Sequence, residues 1–254
     1  MFKKRDVRLV TAVDRGHLPF LAVLVESLGR SQRSGRPVTL TVLHTGVSET
    51  DRDQVAVAAG PVELRWQDVT RRDPDDLVAR PHYFRCLLPS VLTDRRVIYL
   101  DADTLVRADL GRLWDLDLRG APVGAVNDPL GADGTFDAGV MLIDLEAWRA
   151  VDAGRSAVQH CSMAAADLIA SGRWSTHEQY GLNVVFQQRW RRIDDEWNYF
   201  TFRPYRLAAV LHFAGNGRPG SRYCDPRWTA EFAAAVDRTP WHGWRPETTM
   251  AAVS

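Results

Sequence analysis

The sequence predicts an α/β protein with a mostly parallel sheet covered by helices. Three observations carry that expectation. Short apolar, β-branched runs of strand length recur along the chain, and stretches with apolar residues at helical spacing separate them. Polar residues gather where several of the runs end, which is where α/β sheets meet ligands. Length agrees, because 254 residues with 45% hydrophobic content can bury a sizeable core as one domain, with or without a small appendage.

Val7 to Val13 reads as a first buried strand. Leu18 to Leu28 follows as a helix, with Leu21, Val25 and Leu28 on one face and Leu24 beside them. Val38 to Leu43 is a second strand. Ser48-Glu49-Thr50-Asp51 resembles a capping box and opens a helix that ends near Gly60. Val62 to Trp66 gives a third strand, and His82 to Leu92 is expected to be helical. Arg96 to Leu100 runs as a strand into Asp101-Ala102-Asp103. Val123 to Val126 and Val140 to Leu145 are further strands, and Ala157 to Ala170 and Glu178 to Gln188 further helices. No internal repeat or low-complexity linker interrupts this order. One domain over residues 1–220 is therefore expected, with residues 221–254, richer in Trp, Arg and Pro, packing on or beside it as an irregular appendage.

Composition removes several function classes. The 32 basic and 32 acidic residues cancel, so no nucleic-acid footprint is present. Cys86, Cys161 and Cys224 are odd in number and widely spaced, forming neither a metal cluster nor a disulfide framework. No signal peptide or long apolar span stands out, so the expectation is a cytoplasmic protein with at most peripheral membrane contact. Lys3 and Lys4 are the only lysines.

Candidate chemistry begins at Asp101 and Asp103. Alternation along a strand end places their side chains together, with Ala102 pointing away. Two hard oxygen donors there suit Mg²⁺ or Mn²⁺ bridging to phosphates; the alternative is a strand end with two solvated acids. Asp14, at the end of the first strand, offers a carboxylate to a base or ribose, or caps the turn at Gly16. Asn127-Asp128 closes another strand in the same way. Asp137 stands beside Ala138 and Gly139, small residues that let backbone approach a ligand, or that form an ordinary turn. His212 can complete a metal shell that already holds two carboxylates. The glycines that follow expose backbone N–H groups, and Arg218 can clamp phosphate oxygens. No Lys-Ser/Thr follows, so this is not a Walker A loop.

In these segments, from about Val7 to Pro219, the chain resembles the retaining glycosyltransferases of family 8. Val97-Ile98-Tyr99-Leu100-Asp101-Ala102-Asp103 resembles that family's metal motif, and Phe136 to Arg149 its sugar-site block, with Asp137 and Asp144 where Asn is usual. Tyr83-Phe84-Arg85 is similar to its Tyr-x-Arg segment. Glu178-Gln179-x-x-Leu182-Asn183 is similar to its Asp-Gln-Asp-x-Leu-Asn block, and His212 with Gly215 to its His-x-x-Gly loop. Arg218-Pro219-Gly220 replaces the usual Lys-Pro-Trp, and Arg15-Gly16 departs from the family's uridine-binding segment.

The resemblance implies a GT-A fold, a single Rossmann-like domain with a mostly parallel mixed sheet flanked by helices. It implies a nucleotide-sugar donor, expected to be a UDP-hexose, and Mn²⁺ or Mg²⁺ held by Asp101, Asp103 and His212. Asp14, Arg85, Ala102, Ala138 and Gly139 would line the donor site. Arg218 and the Gly215–Gly217 backbone would stabilise the departing diphosphate. Asp128, Asp137 and Glu178 would orient sugar hydroxyls, and Gln179 would sit beneath the anomeric carbon. An amide is a poor nucleophile, which favours same-face attack over a covalent intermediate. A saccharide, glycolipid or small molecule would be the acceptor, and the short chain mildly favours a soluble one. Two alternatives come from other classes. A haloacid-dehalogenase-like phosphatase would use Asp101 and Asp103, but it wants a downstream lysine that the chain lacks after Lys4. The other is a catalytically inactive sugar-nucleotide-binding protein.

Overall fold

The structure, a computed structural model, describes residues 6–70, 81–171 and 177–247. Its first half alternates strand and helix: β1 (Val7–Val13), α1 (Leu18–Ser31), β2 (Val38–His44), α2 (Glu49–Ala56), β3 (Glu63–Asp68), α3 (Leu88–Val91) and β4 (Arg96–Leu100). β5 (Thr104–Val106), α4 (Gly111–Trp114), β6 (Val123–Asn127), β7 (Phe136–Asp144), α5 (Leu145–Ala150), α6 (Ala153–Met163) and α7 (Ala165–Ala170) follow. The last elements are α8 (His177–Val185), β8 (Arg191–Arg192), β9 (Tyr199–Phe200), β10 (Val210–His212) and α9 (Pro226–Val236).

Seven strands form one sheet in the order β3-β2-β1-β4-β7-β6-β8. β7 is antiparallel to both its neighbours and the remaining pairs are parallel, so the sheet is mostly parallel but mixed. Helices bury both faces, which explains why β1 and β4 bury side chains on both sides rather than alternating, with only Arg8 and Arg96 partly exposed near their starts. Leu9, Val13, Ile98 and Leu100 enter the core on one face; Val10, Ala12, Val97 and Tyr99 enter the core on the other. The period of two delivers Asp101 to the Tyr99 side of the sheet, where the Tyr99 hydroxyl donates to it at 2.9 Å.

A second, three-stranded sheet has the order β5-β10-β9. β5 and β10 pair antiparallel with His212 opposite Thr104, and Phe213 N–H donates to the Asp103 carbonyl at 3.0 Å. This small sheet brings the Asp-x-Asp turn and the His212 loop together.

Several elements differ from the sequence expectation. His82 to Leu92 is a 3-10 run over Pro81–Leu87 followed by the single turn of α3. Arg85 Nε donates to the His82 carbonyl at 3.0 Å, taking the acceptor that an α-helix would offer to residue 86, and Pro89 has no N–H to give. The strand expected from Val140 begins earlier, at Phe136, so the Asp137-Ala138-Gly139 segment is strand rather than turn. Ala157 to Ala170 is two helices, divided at Ala164 (φ −92°, ψ 3°). The segment expected to be irregular contains α9, whose Trp228, Phe232, Ala235 and Val236 pack with Val23 of α1 and with Leu211 and Phe213. The capping box is as expected: Ser48 accepts from Asp51 N–H, and the Asp51 carboxylate accepts from Ser48 N–H. Among the described residues no helix is long and apolar enough to cross a membrane.

Candidate active site

The site forms where β4 ends against β7, under the loop that follows β10. Thr104 N–H and Oγ both bond to the Asp101 carbonyl, turning the chain between the two aspartates, and Asp101 N–H donates to Gly139 O at 2.7 Å. One oxygen of Asp101, one of Asp103 and one ring nitrogen of His212 lie within 4.8 Å of one another. His212 Nε2 is 3.3 Å from Asp103 Oδ1 and 3.7 Å from Asp101 Oδ2. Adjacent ligands on an octahedral cation with bonds of about 2.1 Å stand about 3 Å apart, so small movements would close this set around a divalent ion.

The groups behind these ligands fix their orientation. Asn198 is fully buried; its Nδ2 donates to Asp137 Oδ1 at 2.7 Å, which leaves its Oδ1 to accept from His212 Nδ1 at 2.9 Å. In the neutral ring, that pair of bonds selects the tautomer with the Nε2 lone pair toward the aspartates. Gly139 packs so closely that a Cβ there would lie 2.2 Å from His212 Cε1. On the other side Arg85, only 4% exposed, donates from Nη2 to Asp101 Oδ1 at 2.8 Å and from Nη1 to Ala138 O at 2.7 Å. Its guanidinium also lies over the Tyr99 ring, 4.8 Å from the centroid, and 3.7 Å from Glu178 Oε1.

The charge distribution suits a cation. Burial and the neighbouring Asp103 raise the Asp101 carboxyl above its usual range, against the pull of Arg85. Burial also opposes ionisation of Asp103, but the His212 imidazole outweighs it and the carboxyl titrates low. Burial disfavours a charged His212, yet Asp103, with Asp137 and Asp101 beyond it, lifts the imidazole to about 9. Burial also raises Glu178. With a neutral imidazole, Asp101, Asp103, Asp137 and Glu178 outnumber the single guanidinium of Arg85, and a divalent ion would offset that excess.

The residues expected for sugar handling meet at one end of α8. Gln179 Oε1 accepts from Ala138 N–H at 2.9 Å, and its Nε2 donates to Asp128 Oδ2 at 2.8 Å. Asn183, one turn later, bonds to both the N–H and the carbonyl of Phe136, clamping α8 to the start of β7. Asp137 and Glu178 are buried, facing His212 and Arg85 respectively rather than open space.

A cleft of about 170 Å³ opens beside the aspartates, lined by Ala12, His17, His82, Arg85, Tyr99 and Asp101 to Asp103. Asp14 stands at its rim, where it caps the 3-10 turn and its Oδ1 lies 2.7 Å from His17 Nδ1. The His212 loop is held by Thr201, whose hydroxyl donates to Gly217 O at 2.6 Å. Gly215 has φ +52°, and Arg218 is exposed beyond it. Asn198, His17 and Thr201 are absent from the sequence expectation. The only signal for Asn198 was a lone amide amid the aromatics of Trp197-Asn198-Tyr199-Phe200.

Comparison with known proteins agrees with this geometry. The sequence profile of glycosyl transferase family 8 matches residues 8–219. The chain is 23% identical over 282 residues to general stress protein A of Bacillus subtilis, covering 95% of this chain and 97% of that protein. It is 30% identical over 140 residues to glycosyltransferase GlyB of Streptococcus pneumoniae, covering 53% of this chain but 31% of the relative. Against that streptococcal protein and its paralogue GlyF the chain thus spans about a third of the relative's length. Among solved structures, galactosyltransferase LgtC in complex with donor and acceptor sugar analogues superimposes with a TM-score of 0.69 at 23% identity, covering 95% of this chain and 98% of that one. GlyE of Streptococcus pneumoniae superimposes with a TM-score of 0.72 at 18% identity, covering 91% and 61%. The fold is that of the GT-A glycosyltransferases.

Proposed function

Because this chain belongs to glycosyl transferase family 8 and is a glycosyltransferase, we propose that it moves a hexosyl group from a nucleotide sugar to a hydroxyl acceptor, using a divalent cation and retaining the anomeric configuration. The observation that carries this reading is the convergence of Asp101, Asp103 and His212 on one point, beside a cleft and backed by Arg85 and Asn198. Two carboxylates and an imidazole are a donor set for Mn²⁺, with Mg²⁺ the alternative.

When bound, the cation would neutralise the departing nucleoside diphosphate as a Lewis acid. The protein's own groups do the rest. Arg218 and the N–H groups of Gly215 and Asn216 stabilise the same developing charge, whereas the Gly217 N–H is bonded to Ala214 O at 2.9 Å. Arg85 balances Asp101 from behind, offsetting part of the cost that burial puts on its charge. Asp137 acts through Asn198 to aim His212, a positioning role in place of the sugar contact expected from its motif. Glu178 contributes by holding Arg85. Asp128 orients Gln179 and offers its remaining lone pairs to a sugar hydroxyl. Gln179 lies beneath the anomeric carbon and steadies positive charge there; the acceptor attacks from the face the diphosphate leaves, and a phosphate oxygen takes its proton.

Asp14, Ala102, Ala138 and Gly139 complete the donor side, with UDP as the favoured nucleotide. Residues 1–220 carry this site, and α9 beyond them packs against α1 and the residues around β10. Three free, buried thiols suit a reducing cytoplasm. The acceptor is a saccharide, a glycolipid or a small molecule. A donor screen with Mn²⁺, read by mass spectrometry, tests the reading. Nucleoside diphosphate released only in the presence of an acceptor supports it. Donor binding without turnover under any acceptor would make the protein a sugar-nucleotide-binding protein instead.

A further inference from the structure

A second cavity, of about 370 Å³, lies between the later turns of α1, the end of β5 and α9. It shares no lining residue with the catalytic cleft. Roughly 13 Å of extended chain separates Arg107 in its wall from Asp103.

Four guanidinium groups border the cavity, from Arg30, Arg33, Arg107 and Arg238, against the carboxylates of Glu26 and Glu231. The two acids already have partners. Arg238 bonds to Glu26 through both Nε and Nη2, and Arg107 Nε stands 3.0 Å from Glu231 Oε1. Arg30 reaches Glu26 only at 3.6 Å, and Arg33 forms no ion pair with a described residue. The wall therefore carries two positive charges in excess.

One donor of the wall lacks an acceptor. Arg107 Nη1 is sealed from solvent and has no hydrogen-bond partner among the described residues. A buried, charged N–H without an acceptor is costly, and a small shift of the Arg107 side chain, itself about a fifth exposed, would turn it onto an oxygen in the cavity. The hydroxyls of the wall do not supply it, because Ser27 Oγ already accepts from Val106 N–H and Ser31 Oγ from the Gln32 side chain, and each donates to a carbonyl of its own helix. Leu105, Val106 and Ala235 provide an apolar floor.

We propose that this cavity binds a soluble phosphomonoester, with the phosphate on Arg107, Arg30 and Arg33 and a sugar-sized body over the apolar floor. A phosphomonoester carries about −1.5 to −2 charges at neutral pH, which matches the excess of two guanidinium groups. The planar N–H forks of arginine suit phosphate oxygens. The volume falls at the small end of ligand pockets, which run from about 300 to 1,000 Å³, and leaves room for more than a bare phosphate.

Isothermal titration of the full chain with glucose 6-phosphate, in EDTA, tests the site. Saturable binding is expected, with weaker binding of inorganic phosphate. It should weaken at least tenfold in Arg107→Gln and severalfold in Arg33→Gln, and stay unchanged in Asp103→Ala. Arg33 is exposed, so its variant keeps the fold, and an unchanged melting temperature and donor turnover confirm that. Three outcomes overturn the proposal. They are no heat of binding well above about 1 mM ligand, binding lost in Asp103→Ala but kept in both arginine variants, and attachment to phosphatidic acid vesicles without affinity for glucose 6-phosphate.

Discussion

Gln179 Nε2 donates to Asp128 Oδ2 at 2.8 Å while Gln179 Oε1 accepts from Ala138 N–H, so each end of the amide has a partner that fixes its orientation. A backbone N–H can only donate and a carboxylate can only accept, so the carboxamide cannot be turned over without losing both bonds. Gln179→Ala should slow transfer severalfold to about a hundredfold, at most roughly 3 kcal/mol, and leave the product's configuration unchanged. Proton NMR of fresh product reads the anomeric coupling; an inverted product contradicts the proposed mechanism.

The cation site gives the strongest expected loss. Asp103→Ala removes a charged ligand and should abolish turnover, as should EDTA, with recovery on adding Mn²⁺ to the wild-type protein alone. Full activity in EDTA would remove the cation from the mechanism.

Cation uptake should expel a proton. His212 titrates at about 9 in the metal-free protein, so at pH 7 its imidazole is protonated, whereas a cation needs the neutral ring. Affinity for Mn²⁺ should therefore rise about tenfold per pH unit from 7 toward 9 and then level off. Calorimetry at pH 7 in buffers of different ionisation enthalpy counts the protons. About one released per Mn²⁺ is expected, and none would show that His212 is not displaced from its proton.

Asn198→Ala should weaken Mn²⁺ about 10- to 100-fold, the usual scale for losing the group that orients a ligating histidine. It also leaves Asp137 and His212 Nδ1 without their buried partner, at a cost of about 1–3 kcal/mol in stability. Titration of Mn²⁺ followed by electron paramagnetic resonance, beside a thermal melt, separates the two effects.

Gly139→Ala should be more damaging than its single methyl suggests. The new carbon would meet His212 Cε1 at 2.2 Å, so the ring must move off the cation or β7 must shift from β4. Loss of Mn²⁺ binding with the fold retained is the expected result. Normal Mn²⁺ affinity in this variant would mean that His212 is not a ligand.

The paired aspartates, the strand before them and the His212 loop were legible because each is a local pattern: a β-branched run, a charge at its end, a glycine-rich turn. Asn198 was not, since nothing local marks an amide whose partners, Asp137 and His212, come from two other strands. The early start of β7 was hidden because Asp137 and Gly139 look like turn residues. They are strand residues here because Asp137 bonds to Asn198 and Gly139 makes room for His212. The spacing of Trp228, Phe232, Ala235 and Val236 fits one face of a helix, but the surrounding Trp, Arg and Pro obscured it. Asp14 shows a related limit: its place at the strand end was legible, but its bond to His17 was not.

The pairing of β5 with β10 joins residues more than a hundred positions apart, and through it Asp103 meets His212. A partly folded chain in which that ladder has not closed holds two adjacent carboxylates and no imidazole, so it captures a cation poorly. Bound to the finished fold alone, the proposed cation would add to the work of unfolding by mass action. At a hundredfold excess over Kd that amounts to roughly 2.7 kcal/mol, so a cell's supply of divalent ion would set how long this enzyme survives as well as how fast it turns over.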